Sequence, residues 1–248
     1  MMLLIKDWIN VPTFADGLAF MQAMPPRQVD LAILDLPWSQ SNNEWDMTPT
    51  FAINWGIAAV KLLSHVLNDT GSVYIMCGYR KMIPKLVFML ERIGFTLQNW
   101  IIWRRDLGYH TTKRYKTRGV HILFATSHPK HYTFNGDAIR MPHRTSDLRN
   151  NPMGAIPSDV WTSISELRKN SIEYTGHRGQ KPEALYERII KASSNVGDLV
   201  LDPCAGTFTI GAVAGILGRR WIACDNAERW VKVGCTRLSL DYYYALDN

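Results

Sequence analysis

The residues best suited to chemistry stand in two short clusters, Asp35-Leu36-Pro37-Trp38 and Asp202-Pro203-Cys204-Ala205-Gly206. Each follows an apolar run, residues 29–34 (VDLAIL) for the first and 199–201 (LVL) for the second. The first cluster offers a carboxylate, a peptide carbonyl and an aromatic face. A planar base can stack on such a face for about 1–3 kcal/mol. Its exocyclic amine can donate to the Asp35 carboxylate and to a backbone carbonyl. Those acceptors matter because the amine lone pair is delocalised into the ring. Pulled towards tetrahedral geometry, the nitrogen becomes a nucleophile for a methyl group. As a bare tetrapeptide, the cluster fits a buried turn equally well, with Asp capping a helix and Trp packed in the core.

In the second cluster, Gly206 lets the backbone approach a ligand closely. Asp225 comes 23 residues after Asp202, at the end of the next apolar run, where a carboxylate can accept both ribose hydroxyls. The loop lacks G-x-G-x-x-G and opens with an acid. Asp202 would repel a dinucleotide's pyrophosphate but not a sulfonium, so the loop favours S-adenosylmethionine over NAD. A plain strand–turn–helix with a surface Asp is the competing reading.

The elements that must position these clusters alternate in character. Residues 29–34 and 72–76 read as buried strands, the second after the turn signal at residues 68–71. Residues 81–92 read as a helix with Leu86 and Leu90 on one face. Residues 96–103 and 119–125 return to strand character. Lys181-Pro182 opens a helix carrying Leu185 and Ile189 on one face. Residues 199–201, a helix over 209–217 and a strand over 220–224 then form a βαβ unit, with Asp225 at its end. The pattern predicts an α/β fold, a mostly parallel twisted sheet with helices on both faces. Residues 105–175 read as loops and short strands, an insertion rather than core.

The chain has 248 residues, 46% hydrophobic and 20% charged, which excludes a disordered or collagen-like chain. Four cysteines with no C-x-x-C pair and no signal peptide predict a reduced, intracellular protein. No run approaches 18 apolar residues, so no membrane anchor is expected. The net charge of +6 permits a nucleic-acid partner without requiring one.

Taken together, the two clusters resemble the β-class amino-methyltransferases of DNA. In that family a (D/N/S)-P-P-(Y/F/W) motif precedes the cofactor motif D-P-F-x-G-S-G-T, with a target-recognition region between them. Asp35-Leu36-Pro37-Trp38 matches the first, and residues 202–209 (DPCAGTFT) match the second. Residues 177–182 (HRGQKP) match H-P-T-Q-K-P, and residues 183–203 follow the family closely. Residues 132–137 and 158–161 extend the resemblance over about residues 16–235.

The resemblance implies a Rossmann-like S-adenosylmethionine-dependent methyltransferase fold: one catalytic domain over residues 1–248, with target recognition at about 105–175. It implies transfer of a methyl group to the N6 amine of adenine in a base flipped out of double-stranded DNA. Asp35, Leu36, Pro37 and Trp38 would be catalytic. Asp16, Asp35, Gln180, Lys181, Asp202, Cys204, Ala205, Gly206, Thr207, Phe208, Thr209 and Asp225 would bind the cofactor, Lys181 meeting its carboxylate and Asp225 its ribose. A homodimer, a paired restriction endonuclease and a cytoplasmic, prokaryotic or phage setting also follow from the family. A metal does not: His128 and His131 have H-x-x-H spacing without a completing Cys or acid.

Several positions depart from the family pattern. Leu36 stands for the first Pro, but its carbonyl serves as well. Trp38 stands for the commoner Tyr, Cys204 for Phe, Phe208 for the second Gly and Arg178-Gly179 for Pro-Thr. A cytosine-N4 or RNA amino-methyltransferase, a catalytically silent DNA-binding homologue and an NAD-dependent dehydrogenase compete with the adenine reading.

Between the motifs, residues 104–118 (RRDLGYHTTKRYKTR) carry six Lys or Arg, interleaved with Tyr109 and Tyr115. Arg104, Arg105, Lys113, Arg114, Lys116 and Arg118 are the expected DNA contacts, with Arg140, Arg144 and Arg149 extending the surface. A solvated loop would have the same composition. Residues 43–46 (NEWD) follow the catalytic motif and would lie over the site or pack on the core.

Overall fold

Two apolar surfaces organise the chain, because successive strand residues point to opposite faces. In the computed structural model, residues 5–37, 48–106, 112–113, 115–143, 151–240 and 243–244 are described. The strands are β1 (Pro12–Phe14), β2 (Val29–Asp35), β3 (Leu67–Cys77), β4 (Thr96–Arg104), β5 (Gly119–Thr126), β6 (Val160–Trp161), β7 (Leu199–Asp202), β8 (Arg220–Asp225) and β9 (Tyr243–Tyr244). The helices are α1 (Gly17–Ala23), α2 (Pro49–Val66), α3 (Ile83–Arg92), α4 (Glu183–Ser193), α5 (Thr209–Ile216) and α6 (Glu228–Leu238). Ala32 and Leu34 of β2 join α1, α2 and α3 in one core, while Leu31 and Ile33 join α4, α5 and α6 in the other.

Among the described residues the strands form one sheet in the order β6-β4-β5-β3-β2-β7-β8-β1-β9. β5 runs antiparallel to β3 and β4, and every other pairing is parallel. The expected doubly wound α/β sheet is therefore present. From β2 the chain passes through α2 to β3 on one side; from β7 it passes through α5 to β8 on the other. The two crossovers lie on opposite faces, so the carboxyl ends of β2 and β7 flank a topological switch point. In open α/β sheets this is where ligands bind.

Two expectations change. The turn signal at residues 68–71 lies inside β3: Val29 pairs with Leu67 and Leu31 with Ser72, so β3 carries a bulge there. The turn chemistry is still used locally, since Thr70 N donates to Asn68 Oδ1 at 3.1 Å and Asn68 Nδ2 donates to Asp30 Oδ1. Second, the stretch 105–175 is not wholly outside the core. β5 lies within it and sits in the sheet between β3 and β4, with Val120, Ile122, Leu123, Phe124 and Ala125 buried. The basic stretch is thus the connection that returns the chain antiparallel from β4 to β5, a geometry that needs no crossover helix.

Candidate active site

Asp35 closes β2, and its neighbour Leu36 donates its N–H to Met76 O of β3 at 3.1 Å. The Leu36 side chain is fully buried in the first core, so only its peptide is offered to the site. Pro37 follows, half-buried; Trp38 and residues 43–46 lie outside the described residues.

The second cluster rises from β7. Asp202 is completely enclosed, its Oδ1 accepting from Cys204 N at 3.0 Å and its Oδ2 from Tyr186 Oη at 3.0 Å. Burial pushes its carboxyl up to about 7, against the pull of those two hydrogen bonds and with the Asp35 and Asp225 charges adding to the rise. Asp202 shapes the loop from within. Ala205 N donates to Cys224 O at 2.9 Å, which ties the loop to β8. Gly206 N then donates to Asp225 Oδ2 at 2.9 Å, and Ala227 N to Asp225 Oδ1 at 2.9 Å. Burial raises the Asp225 carboxyl to about 6, opposed by those two backbone donors.

Gly206 has φ +53°, in the left-handed region that favours glycine, and a Cβ there would come no nearer than 3.9 Å to His177 Cε1. The peptide therefore faces an open cradle. Thr207 Oγ1 is buried and has no hydrogen-bond partner among the described residues. Asp16 caps α1 through Leu18 N and Ala19 N, both at 3.0 Å, beside the pairing of Phe14 with Asp225. A cradle with a buried donor–acceptor hydroxyl, set among acids, fits a cationic nucleoside better than a pyrophosphate.

Four expected cofactor residues, Phe208, Gln180, Lys181 and Thr209, make contacts within the chain. Phe208 is fully buried, packed on Gly234 and Trp221, so its side chain belongs to the core and holds the loop from below. Gln180 is used at both ends: Oε1 accepts from Thr175 N and Oγ1 at 2.9 and 2.6 Å, and Nε2 donates to Glu173 O at 2.6 Å. It anchors a turn. Lys181 donates to Asp35 Oδ2 and, at 3.0 Å, to Gly179 O. Cys204 is half-buried with its thiol pushed up by burial, and Thr209 Oγ1 accepts from Arg237 Nη1 at 3.1 Å.

Five residues without an assigned role in the sequence, Tyr186, Arg237, Glu183, His177 and Trp230, support this site. Tyr186 bonds Asp202. Arg237 also donates to Thr207 O at 3.3 Å and pairs with Glu183, tying α6 to the loop and to α4. His177 packs edge-on to Trp230 at 4.3 Å. Burial and the Lys181 and Arg229 charges push the His177 imidazole down to about 4, so it is neutral near pH 7. Its Nδ1 accepts from Gly179 N at 3.0 Å, which places its proton on Nε2. The H-P-T-Q-K-P-like motif was the only sequence signal for His177; nothing local marked the others.

Of the expected DNA contacts, Lys113, Lys116 and Arg118 are exposed, as is Tyr115. Arg104 is exposed, with Asp106 Oδ1 4.0 Å away. Arg105 is half-buried and paired with Glu166, so it braces the loop instead of facing solvent. Arg140 is likewise spent on Asp137 at 2.7 Å and Gly154 O at 2.6 Å. Arg114, Arg144 and Arg149 lie outside the described residues. His128 Nδ1 accepts from Lys130 N and His131 N at 3.1 and 2.9 Å, a turn cap. No group of three or more potential metal ligands occurs among the described residues.

A family model described as DNA methylase, of the N6/N4 type, matches residues 29–234. The chain belongs to this DNA methylase family. The methylase is 35% identical over 94% of its length to the DNA adenine methyltransferase YhdJ of Escherichia coli K12, covering 83% of that protein. It is 33% identical over 92% of its length to the Type II methyltransferase M.HpaI of Haemophilus parainfluenzae, covering 74% of it. Among solved structures, TTHA0409 of Thermus thermophilus, complexed with S-adenosyl-L-methionine, matches with a TM-score of 0.71 and 19% identity, over 96% of this chain and 99% of that one. The cytosine-N4-specific PvuII DNA methyltransferase matches with a TM-score of 0.72 and 17% identity, over 96% of this chain and 87% of that one. At these identities both structures speak for the fold.

Proposed function

We propose that this methylase transfers a methyl group from S-adenosylmethionine to the N6 amine of adenine in double-stranded DNA. The observation that carries the reading is the meeting of Asp35 and the Gly206–Asp225 cradle at one switch point. Gly206, Thr207, Asp16 and Asp225 would hold the nucleoside part of the cofactor, and Ala205 and Cys204 would line the way to Asp35. When bound, the cofactor supplies a methyl group made electrophilic by its sulfonium. The chain's own contribution is positioning and electrostatics. The Asp35 carboxylate and the Leu36 carbonyl accept the two amine hydrogens, and Trp38 offers a stacking face. Because the amine must reach this pocket, the base leaves the duplex stack, at a few kcal/mol.

Asp at the head of the catalytic motif and the name of the 35%-identical relative support adenine. Cytosine-N4 is the second reading, because the matching family model spans both N6 and N4 methylases. Residues 105–175, outside β5, form the proposed target-recognition region, with Lys113, Lys116 and Arg118 against phosphates. Several relatives are Type II methyltransferases by name, which extends the reading to a paired restriction endonuclease of the same specificity. A homodimer acting on cytoplasmic DNA completes it. The test is sequencing-based detection of modified bases in DNA from cells expressing the protein, with nucleoside analysis. N6-methyladenine in one sequence motif is the expected result; N4-methylcytosine alone would replace adenine with the second reading.

A further inference from the structure

Lys181 is buried just before α4, and its ammonium spans from Gly179 O to the Asp35 carboxylate. Asp35 itself is only 17% exposed. Asp202, Tyr186, Cys77 and Cys204, all acids, stand close enough to feel the Asp35 charge. His177, which packs near Lys181, is neutral. A carboxylate taken out of water among acids favours its protonated form unless a cation stands against it.

We propose that Lys181 is a positioning residue for the methyl transfer: its buried ammonium keeps the Asp35 carboxylate ionised and aimed at the amine. This rests on the reading of Asp35 given above. The charge state matters because the reaction produces a proton. As the N–C bond forms, the C–S bond breaks and the sulfur keeps the electron pair. The amine nitrogen is then left with one proton too many. An ionised Asp35 first orients the amine and then accepts that proton for release to solvent. A protonated Asp35 does neither. This assignment differs from the role the family resemblance gives Lys181, contact with the cofactor's carboxylate, and the two are separable.

The experiment compares wild type, Lys181→Gln and Lys181→Arg. Carboxyl carbon NMR of aspartate-labelled protein, without DNA or cofactor, follows the titration of Asp35, identified by its loss in Asp35→Asn. The expected result is a carboxyl ionised at pH 6 in wild type and Lys181→Arg, with its midpoint at least one pH unit higher in Lys181→Gln. Single-turnover transfer to a duplex oligonucleotide supplies the second readout. Its acid limb moves up by at least one unit in Lys181→Gln, a tenfold loss at fixed pH on that limb, and the rate recovers at high pH. An unchanged Asp35 midpoint and acid limb, with only the cofactor's KM raised, overturns the proposal. Should Lys181→Gln fail to fold, wild type decides: an Asp35 protonated at pH 6 overturns the proposal, and an ionised one supports it. Absence of transfer by wild type at every pH sinks the functional reading instead and leaves the NMR result standing.

Discussion

Lys181 and Asp35, 146 residues apart in the chain, form a buried ion pair at the switch point of the sheet. The pair joins the helix that precedes the cofactor loop to the strand that carries the catalytic motif. Each partner makes the other tolerable, since an unpaired charge at this depth would be costly.

Replacement of Asp35 separates chemistry from stability. Both Asp35→Asn and Asp35→Ala should lower tritium transfer from labelled cofactor to DNA by about 10²–10³-fold or more, the usual cost of losing one preorganised hydrogen-bonding group. Asp35→Ala leaves the buried Lys181 ammonium without its counter-carboxylate and should also cost about 3–5 kcal/mol of stability. Asp35→Asn keeps a hydrogen-bonding partner and should cost less in thermal denaturation. Full activity in either variant would remove Asp35 from the mechanism.

Cofactor affinity should depend on pH through Asp225. Only the carboxylate can accept from both ribose hydroxyls, and its proton leaves at about 6. Calorimetric affinity for S-adenosylmethionine should therefore fall about tenfold per pH unit below that point and level off above it. Asp225→Asn should bind weakly with a flat profile. In the free protein the sign for stability is the opposite. Asp202 and Asp225 titrate higher folded than unfolded, so the fold favours their protonated forms. That contribution is full below about pH 4 and is lost as pH rises through about 6 and 7. A thermal midpoint of the cofactor-free protein that is insensitive to Asp225→Asn across this range would contradict the assignment.

Gly17→Ala should destabilise although it lies in a helix. Ala normally gains about 1 kcal/mol over Gly in a helix. Here the new Cβ would stand 2.4 Å from Pro203 O, a backbone atom of the cofactor loop. Either α1 or the loop must move, at about 1–3 kcal/mol. Denaturant melts should show the loss, and S-adenosylmethionine affinity should fall with it.

DNA affinity should be strongly salt-dependent, with the basic loop responsible. Each phosphate that is no longer neutralised takes about 0.9 off the slope of log K against log salt. Neutralising Lys113, Lys116 and Arg118 together should flatten the slope by about 2–3, read by fluorescence anisotropy on a duplex. Arg105→Ala should leave the slope nearly unchanged, because its guanidinium is already paired with Glu166. Salt-independent binding by wild type would reduce the +6 charge to a solubility feature.

The sequence by itself determined the local pieces. Buried runs such as 29–34 and 199–201, the Gly206 turn and the acids at strand ends are short-range signals: apolar period, turn chemistry and carboxylate spacing. They announced the α/β class, the cofactor loop and the catalytic motif. α1, α2 and α6 were not identified, since their amphipathic patterns become meaningful only against the sheet they cover. What each polar group does was decided by the tertiary structure. Gln180 and Lys181 are adjacent and equally polar, yet one closes a turn on Glu173 and Thr175 while the other reaches Asp35 across the sheet. Likewise Arg105 is claimed by Glu166, 61 residues away, and Lys116 is left to solvent. Residue type and spacing say which hydrogen bonds a side chain can make. Which ones it makes depends on what the fold brings within about 3 Å of it, and that is fixed by strand order and helix packing.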